Sequence, residues 1–240
     1  MQVSIMITCI ADMMYPQAGK DTVELLERFG CVIDFPTDQT CCGQPAFNSG
    51  YLKRAKEAIK QTIQVFETSP YVVSPSGSCV AMVKQYPDIF RHDQVWYERA
   101  KQMADKTYEL TQFLVYVLNV TDVQSTFSGT ITYHPSCHMT RILGEKEAPL
   151  QLLHNIKGAT LIETERQEDC CGFGGMFAIK NSALSTEMVT EKTTHIEEAG
   201  VHYVVGCDVA CLMNIEGKLT RDGKRIEVRH IAELLNTVGA

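Results

Sequence analysis

Positive charge is scarce in this chain: 22 Lys and Arg stand against 29 Asp and Glu, a formal net charge of −7. That balance argues against a nucleic-acid binder, because phosphate backbones are held by a positive surface field. No Lys or Arg precedes Lys20, so the positive flank of a secretory signal is missing. No apolar run reaches the roughly 18–20 residues that a helix needs to cross a bilayer. The nearest, Leu110 to Val120, is shorter and contains Gln112 and Asn119. A G-x-G-x-x-G fingerprint is also missing, since Gly172-Phe-Gly-Gly175 has the wrong spacing. A flavin or nicotinamide is therefore expected on a partner and not on this chain. The expected location is cytoplasmic. With 240 residues, 45% of them hydrophobic, the chain has enough for one large globular domain or two ordinary ones.

Cysteine, by contrast, is plentiful: ten residues with no export signal in front of them. In a reducing compartment, clustered cysteines serve more often as metal ligands or redox groups than as disulfides. Their positions repeat. Cys9 is followed after 31 residues by Cys41-Cys42-Gly43, and Cys137 after 32 by Cys170-Cys171-Gly172. From Cys42 there are 36 residues to Cys79, and from Cys171 there are 35 to Cys207. So close a coincidence of a single cysteine, a tandem pair with glycine and a downstream cysteine indicates a duplication.

The flanking segments repeat as well. Short apolar, β-branched runs at Val3–Ile7 and Thr130–Tyr133 precede Cys9 and Cys137. Tyr71-Val72-Val73 and Tyr203-Val204-Val205 precede Cys79 and Cys207. A further strand is expected at Cys31–Phe35. Between the strands, helical spacing covers Leu52–Phe66, Gln94–Leu118, Leu150–Ile156, Ala183–Ala199 and Ile231–Leu235. The expectation is an α/β fold of two pseudo-repeated modules, residues 1–120 and 121–240. Each has a parallel sheet flanked by helices, with cysteines at the C-terminal ends of strands, where such sheets gather ligands.

Four chemistries compete for these cysteines: disulfides, zinc, an iron–sulfur cluster and thiol catalysis. Adjacent cysteines make a strained disulfide ring. They also suit a single zinc ion poorly, since neighbouring side chains diverge while structural zinc is usually closed by spaced Cys-x₂₋₄-Cys pairs. A polynuclear iron cluster offers ligand positions in several directions and takes thiolates as its normal ligands. Residue chemistry thus favours a cluster, with zinc as the alternative. Cys137, Cys170, Cys171, Cys207 and Cys211 form the fuller candidate set; Cys9, Cys41, Cys42 and Cys79 form one that is a ligand short. Cys31 has no counterpart and reads as a core thiol. His134 and His138 flank Cys137 and suit either iron ligation and proton transfer or a structural role at a strand end. Arg141 is suited to a carboxylate ligand or, more simply, to a helix end. No residue is assigned a catalytic role.

The segments Glu24-Leu-Leu-Glu-Arg-Phe-Gly-Cys31, Cys41-Cys-Gly-Gln-Pro-Ala-Phe-Asn-Ser-Gly50, His134-Pro-Ser-Cys-His138 and Cys170-Cys-Gly-Phe-Gly-Gly-Met176 carry a resemblance. Over essentially its whole length the chain resembles the cysteine-rich CCG-domain family. That family includes the cysteine-rich component of heterodisulfide reductase, the membrane anchor of anaerobic glycerol-3-phosphate dehydrogenase and the short lactate utilization proteins. The resemblance implies a bacterial cytosolic iron–sulfur protein holding a 4Fe-4S cluster, of the non-cubane type found in heterodisulfide reductase. It also implies partners, lactate utilization proteins B and C, in oxidising L-lactate to pyruvate. Cys137, Cys170, Cys171, Cys207 and Cys211 match that family's full ligand set, although three residues separate Cys207 from Cys211 where two are usual. Two other expectations stand beside this one: a zinc-stabilised scaffold or regulatory protein, and a disulfide reductase component of the heterodisulfide reductase type.

Overall fold

The computed structural model describes residues 1–238. The β-branched, apolar runs become short strands, and every strand pair is parallel. Strands β1 (Gln2–Ile5), β2 (Val32–Asp34), β3 (Val72–Ser74) and β4 (Thr107–Glu109) form one sheet in the order β2-β1-β3-β4. Strands β5 (Thr126–His134), β6 (Lys157–Leu161), β7 (Tyr203–Gly206) and β8 (Glu227–His230) form a second in the order β6-β5-β7-β8. The two orders are the same, so the duplication in the cysteines is a duplication of topology. In each sheet the chain turns one way from the first strand and the other way to the third. The crevice at that switch, beyond the strands' C-terminal ends, is where a parallel sheet binds its ligand.

Helical spacing predicts one helix over Gln94–Leu118, and the structure divides it. A helix spans Gln94–Asp105, β4 follows, and a short helix Leu110–Gln112 runs into a π-turn Phe113–Val117. Strand β4 is hidden because Thr107 and Glu109 are buried polar residues inside a stretch of apolar helical spacing. The edge strand β6, Lys157-Gly-Ala-Thr-Leu161, and β8 are likewise without a continuous apolar run.

The apolar stretch after Leu110 is core. Leu110, Phe113 and Leu114 pack in one cluster with Leu25 and Leu26 of the helix Pro16–Arg28, Leu152 and Leu153 of the helix Glu147–His154, and Leu234 and Leu235 of the helix Ile231–Asn236. The packing crosses between halves. The helix after β8 lies on the first-half helix Pro16–Arg28, and the helix after β4 lies on the second-half helix Glu147–His154. Polar ties follow the same route: Arg28 donates to the Leu235 carbonyl at 2.9 Å, and Asn236 donates to Asp21 at 2.8 Å. No helix among the described residues is long and apolar enough to cross a membrane.

Both crossing helices start with a capping box, at Glu109 and at His230. Glu109 is fully buried and accepts from the Thr111 amide at 2.7 Å and from the Thr111 hydroxyl. Burial pushes its carboxyl up to about 7, more than those hydrogen bonds pull it down. Between about pH 4.5 and pH 7 the unfolded chain has lost this proton and the folded chain keeps it. Stability therefore falls as pH rises through that interval, by about 3 kcal/mol from this group. Glu109→Gln, which has no such proton, should gain on the wild type by that amount between pH 4.5 and pH 7.5 in denaturant titrations. A gap that does not change with pH would show that the carboxyl titrates normally.

Candidate functional site

Eight of the ten cysteines line a single cavity of about 140 Å³ between the halves: Cys9, Cys41, Cys42 and Cys79 from the first, Cys137, Cys170, Cys171 and Cys211 from the second. Local structure places each of them in the same way twice. Cys9 and Cys137 open the helices Cys9–Met14 and Cys137–Arg141, whose N-caps Thr8 and Ser136 accept from the amides of Ala11 and Met139. Cys79 lies in the first turn of Gly77–Lys84 and Cys211 in the first turn of Val209–Arg221. Four helix starts thus surround the cavity, and their free amides favour negative charge there.

The tandem pairs sit in irregular loops, each ended by a glycine with φ of +88° at Gly43 and +81° at Gly172. A Cβ on Gly172 would stand 2.6 Å from the Ser185 carbonyl oxygen, whereas one on Gly43 would be 3.2 Å from that of Ala55. Gly172→Ala therefore combines left-handed strain of about 1–2 kcal/mol with a backbone clash. It should lower stability by about 2 kcal/mol or more and displace Cys171, whereas Gly43→Ala should cost less. Denaturation midpoints of the two variants check this. The loops are held from behind as well: Tyr86 donates to the Cys42 carbonyl at 2.8 Å and Asn214 to the Cys171 carbonyl at 2.7 Å.

Within each set the sulfurs make a chain. Cys9 meets Cys41 at 3.8 Å and Cys42 meets Cys79 at 3.4 Å. In the second half Cys170 is the neighbour of Cys137, and the Cys171 and Cys211 sulfurs lie within 4.8 Å of one another. The two members of each tandem pair stay neighbours of one another, and each has a different outer neighbour. Hydrogen bonds from Cys42 and Cys9 hold Cys41 down to about 3, and those from Cys137 and Cys171 hold Cys170 down to about 2. Cys9 and Cys137, as the donors, are pushed up. One thiolate per half thus sits at the same place in the pair, in the ionised form that binds metal. All ten cysteines are free.

The structural register differs from the one that spacing suggests. Val72 and Val73 of β3 occupy the place in their sheet that Val204 and Val205 of β7 occupy in theirs. Carried forward from those strands, Cys79 corresponds to Cys211 and Pro75 to Cys207. Cys207 is fully buried in the central core, 3.5 Å from the Tyr133 hydroxyl, and is not part of the cavity wall. Each half then supplies four cysteines to the cavity wall. Cys31 lies in the central core too. His138 lines the cavity with Nδ1 3.5 Å from the Cys137 sulfur, while Arg141 is exposed at the end of its short helix.

The residue joining the two sets is Asp208, to which spacing drew no attention. It is 2% exposed. Its carboxylate accepts from the Ser78 amide (2.8 Å), the Ser78 hydroxyl (2.6 Å), the Ser76 hydroxyl (3.3 Å) and the Ser136 hydroxyl (3.0 Å). Burial pushes this carboxyl up, while the Ser78 and Ser136 bonds hold it back. Gly77 N–H to the Cys207 carbonyl (3.2 Å) and His230 to the Pro75 carbonyl (2.9 Å) tie the same two loops. Once Cys79 is set against Cys211, Asp208 falls opposite Ser76, an N-cap replaced by an acid, and that was the available signal. Lys192 is also buried, donating to the Gln167 carbonyl at 2.6 Å. A lysine in the apolar stripe Ser185, Val189, Thr193, Ile196 marks it in the sequence.

The cysteine-rich domain family matches this chain twice, at residues 3–84 and 131–216. The chain is 57% identical to lactate utilization protein A of Oceanobacillus iheyensis over 99% of its own length and 97% of that protein's. It is 58% identical to lactate utilization protein A of Geobacillus thermodenitrificans, over 98% and 99% of the two lengths. With the Bacillus licheniformis protein of that name the identity is 53%, over 99% and 100%. Duplicated sheets, duplicated cysteine sets and full-length similarity agree: the chain belongs to the CCG cysteine-rich domain family and, within it, to the lactate utilization protein A family.

Proposed function

We propose that the chain is an iron–sulfur electron-transfer subunit of a multi-protein, cytoplasmic L-lactate dehydrogenase system that yields pyruvate. The observation that carries the reading is the pair of equivalent four-cysteine sets, eight thiols in all, facing one cavity. Structural zinc is usually closed by spaced Cys-x₂₋₄-Cys pairs, which neither four-cysteine set contains, whereas thiolates are the normal ligands of a polynuclear iron core. The donors fit an iron–sulfur group: Cys9, Cys41, Cys42 and Cys79 would hold one, and Cys137, Cys170, Cys171 and Cys211 another. Such groups supply one-electron transfer, which suits the two single steps of a two-electron oxidation. The chain's own residues hold the sites. Tyr86 and Asn214 fix the tandem-pair carbonyls, and Asp208 locks the two modules, residues 1–120 and 121–240, across the cavity.

Lactate enters from the names of the relatives, and lactate utilization proteins B and C are the proposed partners. Anaerobic purification with iron, sulfide and zinc analysis tests the cofactor. A brown protein with iron and acid-labile sulfide is expected; stoichiometric zinc with neither would overturn the reading. Mixing the loaded chain with both partners and L-lactate should bleach its visible absorption. Absorption unchanged by lactate in the full mixture would remove the substrate from the proposal.

A further inference from the structure

The two cysteine sets match residue for residue, yet their surroundings do not. Three residues before Cys9, just after β1, stands Met6; three before Cys137, at the end of β5, stands His134. Met6 is buried in the apolar cluster that contains Cys42 and Cys79. His134 is 2% exposed, and neither of its ring nitrogens has a hydrogen-bond partner. Buried polar atoms are nearly always satisfied, so a fully orphaned imidazole calls for a ligand. One ring nitrogen and the sulfurs of Cys171 and Cys211 lie within 4.8 Å of one another. Around a tetrahedral metal, with metal–sulfur bonds of about 2.3 Å and metal–nitrogen bonds of about 2.0 Å, ligand atoms stand about 3.5 Å apart, so a small closure suffices.

A second difference lies across the cavity wall. The loop glycines rest on Ala55 and Ile59 in the first half and on Ser185 and Val189 in the second. Continuing along those helices puts buried Thr62 opposite buried Lys192. The Lys192 ammonium is felt at His134, Cys170, Cys171 and Cys211 alike.

We propose that His134 is a fifth protein ligand of the second centre, binding an iron through a ring nitrogen beside Cys171 and Cys211, and that the two centres are thereby unequal. This inference rests on the iron–sulfur reading above. The imidazole is added to four thiolates and replaces none, so the ligands of the two centres carry equal charge, and the difference in charge between their surroundings is the buried Lys192 ammonium. That charge raises the potential of the second centre by favouring the more negative, reduced state. Thr62 supplies no such charge, and Met6 no nitrogen ligand. The second centre is the higher-potential one.

The test uses the whole chain, loaded and isolated anaerobically from cells fed ¹⁵N-histidine, and pulsed EPR during stepwise reduction. Histidine-nitrogen coupling is expected on the signal that appears first, and none on the later one. His134→Met, which gives the second half the residue of the first, should keep iron and sulfide and lose the coupling. Met6→His should add a coupling to the other signal. Full iron and sulfide without histidine coupling in the wild type would overturn the His134 assignment alone, and needs no variant to fold. Absence of iron and sulfide overturns the underlying cofactor reading, and metal analysis of the same sample separates the two failures.

Discussion

Cys42→Ser is expected to remove about half of the bound iron and acid-labile sulfide, and Cys171→Ser the other half, while Cys207→Ser keeps the full complement. The expectation follows from position. Cys42 and Cys171 are the buried members of the tandem pairs, each between the other pair member and a helix-borne cysteine. A serine there offers an oxygen in place of a soft thiolate, and iron–sulfur ligation weakens accordingly. Cys207 is as close to Cys171 in sequence as Cys79 is to Cys42, so spacing alone places it among the ligands. The fold instead turns it to Tyr133 and the core. Iron content per chain in the three variants reads the result directly. Loss of iron in Cys207→Ser, with retention in a Cys211→Ser variant, would restore the register suggested by spacing.

The second large effect concerns the lock between the halves. Asp208→Ala should lower stability by about 3–5 kcal/mol, since it leaves the Ser78 amide and three serine hydroxyls without their shared acceptor. Against a usual total of about 5–15 kcal/mol this is a severe loss. Asp208→Asn retains one acceptor oxygen and should fall between the two. Denaturant midpoints of the isolated proteins rank the three. Equal midpoints for Asp208→Ala and the wild type would show that the serines find water instead.

Much of this was legible in the residues. The strands β1, β3, β5 and β7 announce themselves because they are central and apolar, and each ends one short loop before a cavity cysteine. The tandem pairs with their glycines are local in the chain, so the two equivalent loops could be matched by eye. What spacing could not give was the register beyond those loops. The second half has a longer path from Cys171 to Cys211 than the first has from Cys42 to Cys79, and Cys207 happens to lie at the shorter distance. Superposing Val72-Val73 on Val204-Val205 resolves it, because paired strands fix register where intervening loops do not. Edge strands β4, β6 and β8 escaped for a different reason: partly exposed or polar at key positions, they lack the apolar alternation from which strands are read. Asp208 and Lys192 act through burial, which the sequence marks only indirectly: Asp208 by falling opposite an N-cap serine once the register is set, Lys192 by its place in a buried helix stripe.

The exchange of helices, in which each half's last helix rests on a helix of the other half, is the arrangement of a two-fold symmetric dimer written into one chain. Neither half could keep its apolar helices covered by itself, so the ancestral unit is best pictured as a homodimer with two identical sites. In such a dimer every substitution enters both sites at once. Fusion removed that constraint. In one chain the two places can differ, as Met6 and His134 do, and the two cysteine sets are free to carry different properties.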